Sequence, residues 1–193
     1  MIEYIKGNIT QITPTSLIIE TGGIGYFLNI SVSTFSRLEG KSEYKILVHE
    51  VIREDSHQLF GFADNDERNI FRLLISVTGV GANTARMMLS SLNPAEIEKA
   101  VLGSDVNLLK SVKGIGLKTA QRIIVDLKDK VGKHAASGEI FAFADNTKRE
   151  EALSALVMLG FAKSTVVKVI EKIARENKNL TVEEMIKMAL KNL

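Results

Sequence analysis

Cysteine and tryptophan are missing from this 193-residue sequence, which holds only two prolines and three histidines. The lack of cysteine excludes a disulfide framework, a thiolate zinc site and a cysteine nucleophile. The histidines, His49, His57 and His134, stand at no metal-ligand spacing, so no metal and no cofactor is expected. No apolar run near the N-terminus is long enough for a signal segment or a membrane span, which predicts a cytoplasmic protein with no membrane partner. Strong charge of one sign is lacking too: the net charge is only +2. The overall charge therefore names no partner, and its distribution has to be read instead.

The residues present are those of a globular protein able to bury a core, with 45% hydrophobic and 25% charged. Residues 1–64 carry 5 Lys and Arg against 8 Asp and Glu, whereas residues 65–132 carry 10 against 7. The basic middle segment contains a repeat. Val77-Thr78-Gly79-Val80-Gly81-Ala82-Asn83-Thr84-Ala85 recurs, with drift, as Val112-Lys113-Gly114-Ile115-Gly116-Leu117-Lys118-Thr119-Ala120, 35 residues later. In each copy an apolar helix end runs into Gly-apolar-Gly and an amphipathic helix begins at once. The glycines suit a backbone with positive φ, or one that another backbone approaches closely, and Val80 or Ile115 can plug the gap between the two helices. Because the second helix starts directly after the hairpin, its unpaired N–H groups face outward beside Gly81 or Gly116. That is a site for an anion.

This pair of motifs resembles a tandem helix-hairpin-helix module, and the resemblance implies a grip on the DNA phosphate backbone across the minor groove, without sequence reading. A single Gly-x-Gly reads more readily as a helix C-cap and turn than as a DNA motif; the duplication at fixed spacing, each copy followed by Thr-Ala and an apolar helix, favours DNA.

Residues 1–64 pattern as five short strands and one small helix near Val32 to Leu38, which suggests an OB-like barrel. The segment is acidic and its aromatics fall at positions a core can use, which argues against single-strand binding there. Its last turn, Arg53-Glu54-Asp55-Ser56-His57, puts two adjacent carboxylates at a hairpin tip, where phosphate would repel them. Taken locally, that is a solvated turn. Residues 65–132 read as a bundle of about five helices opened by Asp64-Asn65-Asp66, with both hairpins on one side and the last helix ending near Lys130. Residues 133–147 lack sustained periodicity and read as a flexible linker. Residues 148–193 resume a helical pattern as three short helices, the last opened by a capping-box spacing from Thr181 to Glu184. The run from Ala155 to Phe161 resembles the first helix and loop of a ubiquitin-associated bundle. A bundle this small reads as a protein-docking unit or as a stabilising appendage.

The fold class expected is thus multidomain α+β. The order of parts resembles the RuvA family of Holliday-junction-binding subunits, over essentially the whole chain. The residues that carry this resemblance are Met1-Ile2 with Gly7, Val51-Ile52-Arg53-Glu54-Asp55 to Leu59-Phe60-Gly61-Phe62, both glycine hairpins, and Ala155 to Phe161. It implies a homotetramer that holds four-way junction DNA in recombination and repair, with a ring ATPase motor, RuvB, and a junction resolvase, RuvC, as partners. It further implies DNA contacts at Gly79, Val80, Gly81, Asn83, Thr84 and Arg86 in the first copy and at Gly114, Ile115, Gly116, Lys118, Thr119 and Arg122 in the second. An acidic pin falls on Glu54 and Asp55, and motor docking on Leu156, Leu159, Gly160 and Phe161. The chain departs from the family's usual basic residues after each hairpin, Pro-Lys after the first and two lysines after the second, with Ala82-Asn83 and Leu117-Lys118.

No catalytic residue is expected. Gly40-Lys41-Ser42 mimics the end of a phosphate-binding loop, but the first glycine of that motif would fall on Phe35. The rival reading is a helix-hairpin-helix glycosylase or lyase acting on damaged duplex, which needs an acid beyond the hairpin and a base-accepting pocket. Asp126 and Asp129 lie within the same helix as Lys118, and with no tryptophan in the chain such a pocket is not marked.

Overall fold

Alternating burial shapes the N-terminal strands of this computed structural model, which describes residues 1–138, 144–176 and 180–193. In β2 (Ser16–Thr21) Leu17 and Ile19 point inward, in β3 (Ile24–Ile30) Leu28 and Ile30, and in β4 (Glu43–Ile52) Ile46 and Val48. With Ile5 from β1 (Tyr4–Thr13) and Leu38 from α1 (Val32–Leu38) they form one apolar core. The strands close into a barrel in the order β1-β2-β3-β5-β4, β4 returning to pair with β1. β5 (His57–Phe62) pairs antiparallel with β4 and parallel with β3. Closure makes β1 serve two neighbours. At Gly7 an added Cβ would lie 2.0 Å from the Glu20 carbonyl oxygen of β2, and a bulge follows between Ile9 and Gln11.

The end of β5 is buried on both faces, Phe60, Gly61 and Phe62 alike, because the helices begin there. Phe71 of α2 (Asn65–Ile75) packs against Phe60 and Phe62 with ring centroids 5.1 and 4.9 Å apart. The core of the helical segment therefore starts inside the barrel wall. Glu67, 1% exposed, crosses the same boundary. Its carboxylate accepts hydrogen bonds from the Ser31 and Thr34 hydroxyls of α1 and from the Ala63 amide. Ser31 Oγ in turn caps α1 by accepting from the Thr34 amide at 2.9 Å. Beside it, Asp64 caps α2 by accepting from the Glu67 amide at 2.8 Å and pairs with Arg37. Burial pushes the Asp64 carboxyl up, but the Glu67 amide and the Arg37 guanidinium outweigh it and hold its pKa below the ordinary value.

After α2 come α3 (Ala82–Ser91), α4 (Pro94–Leu102), α5 (Val106–Lys110) and α6 (Leu117–Gly138). The expected end of the last helix near Lys130 is corrected: α6 runs on through Gly132. Ile123, Leu127 and Val131 are buried at successive turns of α6, and packing of that stripe outweighs the roughly 1 kcal/mol cost of a helical glycine. α7 starts at Ala144, so helix occupies both ends of the expected 133–147 linker, and residues 139–143 lie outside the described residues.

The chain divides into two compact units, 1–136 and 137–193. The second is the expected three-helix bundle: α7 (Ala144–Met158), α8 (Lys163–Glu176) and α9 (Val182–Leu190) around Ala152, Leu156, Val166, Ile170, Ile173, Met185 and Ala189. α7 ends on Gly160 at φ 99, where the Phe161 amide donates to Leu156 O at 3.2 Å and the Gly160 amide to Val157 O at 3.0 Å. The Thr181–Glu184 capping box forms in both directions. Among the described residues no helix is long and apolar enough to cross a membrane.

Glu67→Ala leaves the buried Ser31 and Thr34 hydroxyls without an acceptor, while the Ala63 amide keeps Thr34 Oγ1, and is expected to cost about 2 kcal/mol or more. Urea unfolding checks this, and a loss no larger than that of a typical surface substitution would contradict the role of Glu67.

Candidate nucleic-acid interface

The two glycine hairpins have the same backbone. α2 ends in a cap at Ser76 and α5 in a cap at Ser111, both right-handed helical. The Val80 amide then donates to Val77 O at 3.0 Å, and the Ile115 amide to Val112 O at 3.1 Å. Gly79 sits at φ 93 and Gly114 at φ 92, a left-handed conformation that disfavours every other residue type. The apolar residue between the glycines is buried in each copy, Val80 and Ile115 both 5% exposed, and so plugs the helix pair as expected. The following helices start with equivalent bonds, Ala85 N–H to Gly81 O and Ala120 N–H to Gly116 O, each 2.9 Å.

The second glycine of each pair answers a different need. Gly81 has φ −82 and ψ 165, open to any residue, and Gly116 is not among the left-handed glycines. An added Cβ would meet nothing within 4 Å at either position. The fold itself therefore does not require glycine there, and the open space lies in front of a helix start. Five other helices begin under a side-chain cap, from Ser31, Asp64, Asn93, Asp105 and Thr181. α3 begins at Gly81 with no side-chain cap, and Gly116, just ahead of α6, has no side chain to offer. Free first-turn amides with room before them can bind an anion such as phosphate.

The predicted polar contacts divide. Asn83 and Lys118, at equivalent positions, are exposed beside these amides, and Thr84 and Thr119 are half-buried. Lys113, preceding Gly114, is also exposed, a cation that the spacing of the repeat does not single out. Arg122 donates from Nη1 to Thr78 O at 3.1 Å, tying α6 to the first hairpin. Its equivalent in the first copy, Met87, reaches the other way, with Cε 3.6 Å from where a Cβ of Gly114 would lie. The two hairpins thus brace each other. Arg86 does not face the hairpins: its Nη1 donates to Thr15 O in the barrel at 2.8 Å, and burial lowers its pKa. Leu117 is 52% exposed, while its equivalent Ala82 is buried.

Glu54 and Asp55 form the tip of the β4–β5 hairpin, closed by Arg53 N–H to Ser56 O at 2.8 Å. Both are exposed, and among the described residues neither forms an ion pair. In the C-terminal unit, Leu159 and Gly160 are exposed and Phe161 half-buried. Leu156 is corrected: it lies fully in the bundle core, because the Phe161 amide and the α8 side chains close over its turn, and it presents no surface. Val157 and Met158 are exposed in its place. Asp126 and Asp129 stand on the solvent face of α6, not in a pocket.

Known proteins resemble the chain segment by segment. A family profile described as RuvA N terminal domain matches residues 1–61, one described as SAM-like Helix-hairpin-helix tandem matches 71–129, and one described as RuvA, C-terminal domain matches 147–193. Proteins named Holliday junction branch migration complex subunit RuvA are similar over the full length of both chains: 53% identical in Christiangramia forsetii, 49% in Bacteroides thetaiotaomicron and 52% in Parabacteroides distasonis. With a closed barrel, a doubled hairpin and a three-helix bundle in that order, and with such identity from end to end, the chain belongs to the RuvA family.

Proposed function

We propose that this chain binds four-way (Holliday) DNA junctions, catalyses no reaction itself, and docks a RuvB-type ring ATPase that drives branch migration. The observation that carries the reading is the pair of equivalent hairpins, each opening on an uncapped helix start with unfilled space before it. Relatives alike over their full length carry the name of the branch migration complex subunit, which supports the same assignment. Backbone amides with Asn83, Lys113 and Lys118 beside them suit phosphate, whose position along a duplex is independent of sequence. A homotetramer would present four such pairs, one to each arm, with the resolvase RuvC as a further partner at the crossover. The cytoplasm is the place for such an assembly. Exposed Val157, Met158 and Leu159, with half-buried Phe161 packed on the bundle core just after them, supply an apolar surface for the motor. The glycosylase reading loses its acid, since Asp126 and Asp129 face solvent on α6.

Lys118→Ala is expected to weaken binding to junctions of any sequence and to reduce the slope of log K against log salt by about 0.9 per bound subunit, one phosphate contact's worth. A fluorescence anisotropy series in salt measures this; a loss confined to one sequence, or an unaltered slope, would argue against the phosphate role.

The acidic tip acts through repulsion. Four chains around a crossover would crowd Glu54 and Asp55 of each at its centre, and like charges 4 Å apart repel by about 1 kcal/mol in water and about 4 kcal/mol near a protein surface. A continuous duplex lying across that centre is disfavoured, while an open crossover whose strands diverge is tolerated. Glu54→Gln with Asp55→Asn is therefore expected to bind linear duplex more tightly and to narrow the preference for junctions. Equal duplex affinity for the two proteins at low salt would mean the tip is only a solvated turn.

A further inference from the structure

Arg86 is out of place for a DNA ligand. It lies one turn into α3, yet it turns from the hairpin to the β1–β2 turn of the barrel, where it donates to Thr15 O at 2.8 Å. That carbonyl is itself fixed, because it also accepts from the Ile30 amide of β3 at 3.1 Å. Four residues on, and so on the same face of α3, Ser90 Oγ accepts from the Val32 amide at the start of α1 at 3.1 Å and donates back to Arg86 O at 2.8 Å. Among the described residues no carboxylate pairs with Arg86. Half-buried and without a counter-ion, its guanidinium is engaged with a backbone carbonyl of the barrel. The equivalent residue of the second copy is Gln121, exposed on α6.

We propose that Arg86 is a positioning residue: with Ser90 it latches α3 to the barrel, so that the acidic tip and the two hairpins meet the junction in one fixed register. The proposal rests on the junction-binding reading given above. The Glu67 carboxylate already joins the barrel to α2. The packing of Phe71 on Phe60 and Phe62 and the bond from Arg68 Nη1 to Glu3 O at 3.0 Å hold α2 there as well. All of these fall on α2, and an attachment on α3 fixes a second helix beyond the first hairpin. α3 is the helix on which this matters, since Met87, the residue after Arg86, packs toward Gly114 of the second hairpin. A latch on α3 therefore sets the barrel against both hairpins together. Linear duplex needs only the hairpins, whereas a four-way junction has to meet hairpins and tip at once. Loosening the latch should cost junction binding more than duplex binding.

The test compares Arg86→Met and Ser90→Ala with the unaltered protein, each bound to a four-way junction and to linear duplex of the same sequence over a salt series, with Lys118→Ala as the reference for a lost phosphate contact. Thermal melting verifies that each variant is folded, and Ser90→Ala removes latch hydrogen bonds without altering charge. The latch predicts that Arg86→Met lowers the junction-to-duplex affinity ratio by about tenfold, which corresponds to about 1.4 kcal/mol, with an unchanged salt slope. Ser90→Ala should shift the ratio in the same direction by less. If the unaltered protein prefers the junction, a slope in Arg86→Met shallower by about 0.9 would make Arg86 a phosphate ligand, and an unchanged ratio in both variants would remove the latch. Absence of any junction preference in the unaltered protein would instead overturn the functional reading, and the latch with it.

Discussion

A buried carboxylate at the seam between barrel and helices is the interaction on which the arrangement depends. Glu67 sits on the first helix of the hairpin segment, and its acceptors are filled by the cap of the barrel helix and by the chain between the two parts. Around it the Phe60, Phe62 and Phe71 cluster makes one apolar core of strand and helix. A carboxyl group buried this deeply is tolerated only while its hydrogen-bond partners stay in place, so the seam cannot slide without a large penalty. The barrel, whose outer face carries no evident site, thereby becomes a rigid mount for the acidic tip relative to the hairpins.

The hairpins divide labour between their two glycines. The first takes a left-handed conformation that the tight turn demands, and serves the fold. The second is not left-handed and has empty space where a side chain would stand, room for the proposed phosphate. Side chains around this common backbone differ between the copies, Asn83 against Lys118 and Met87 against Arg122. On the proposed reading, amides shared by both copies carry the anion chemistry, which lets the copies differ in charge and still hold the same kind of ligand. The residues at 87 and 122 instead reach across to the opposite hairpin and hold the pair at a fixed separation.

Local features were the legible ones. The alternation in β2 and β4, the Gly-apolar-Gly repeats, the Asp64 cap and the Thr181–Glu184 box are all written within a few residues, and each took the expected form. Features that depend on distant partners were not. The parallel pairing of β3 with β5, which closes the barrel, has no local signature. The extension of α6 past Gly132 follows from packing of Val131 on the helical core, which outweighs the glycine. Spacing alone put Arg86 and Arg122 in the same role, one turn after each hairpin; the structure shows one turned to the barrel and the other to the opposite hairpin. Leu156 and Leu159 likewise share an apolar run, and only the fold of the bundle puts the first inside and the second outside.

The central claim is that both hairpins hold phosphate through the free amides at the starts of α3 and α6. Hydrogen exchange of the backbone amides over residues 82–84 and 117–119, with and without a four-way junction, tests it most directly. In the free protein these first-turn amides lack helical partners and should exchange quickly. On junction binding both sets should slow together, including the first set, where no lysine stands. Unchanged exchange at both helix starts while the junction is bound would contradict the claim and move the contact to another part of the surface.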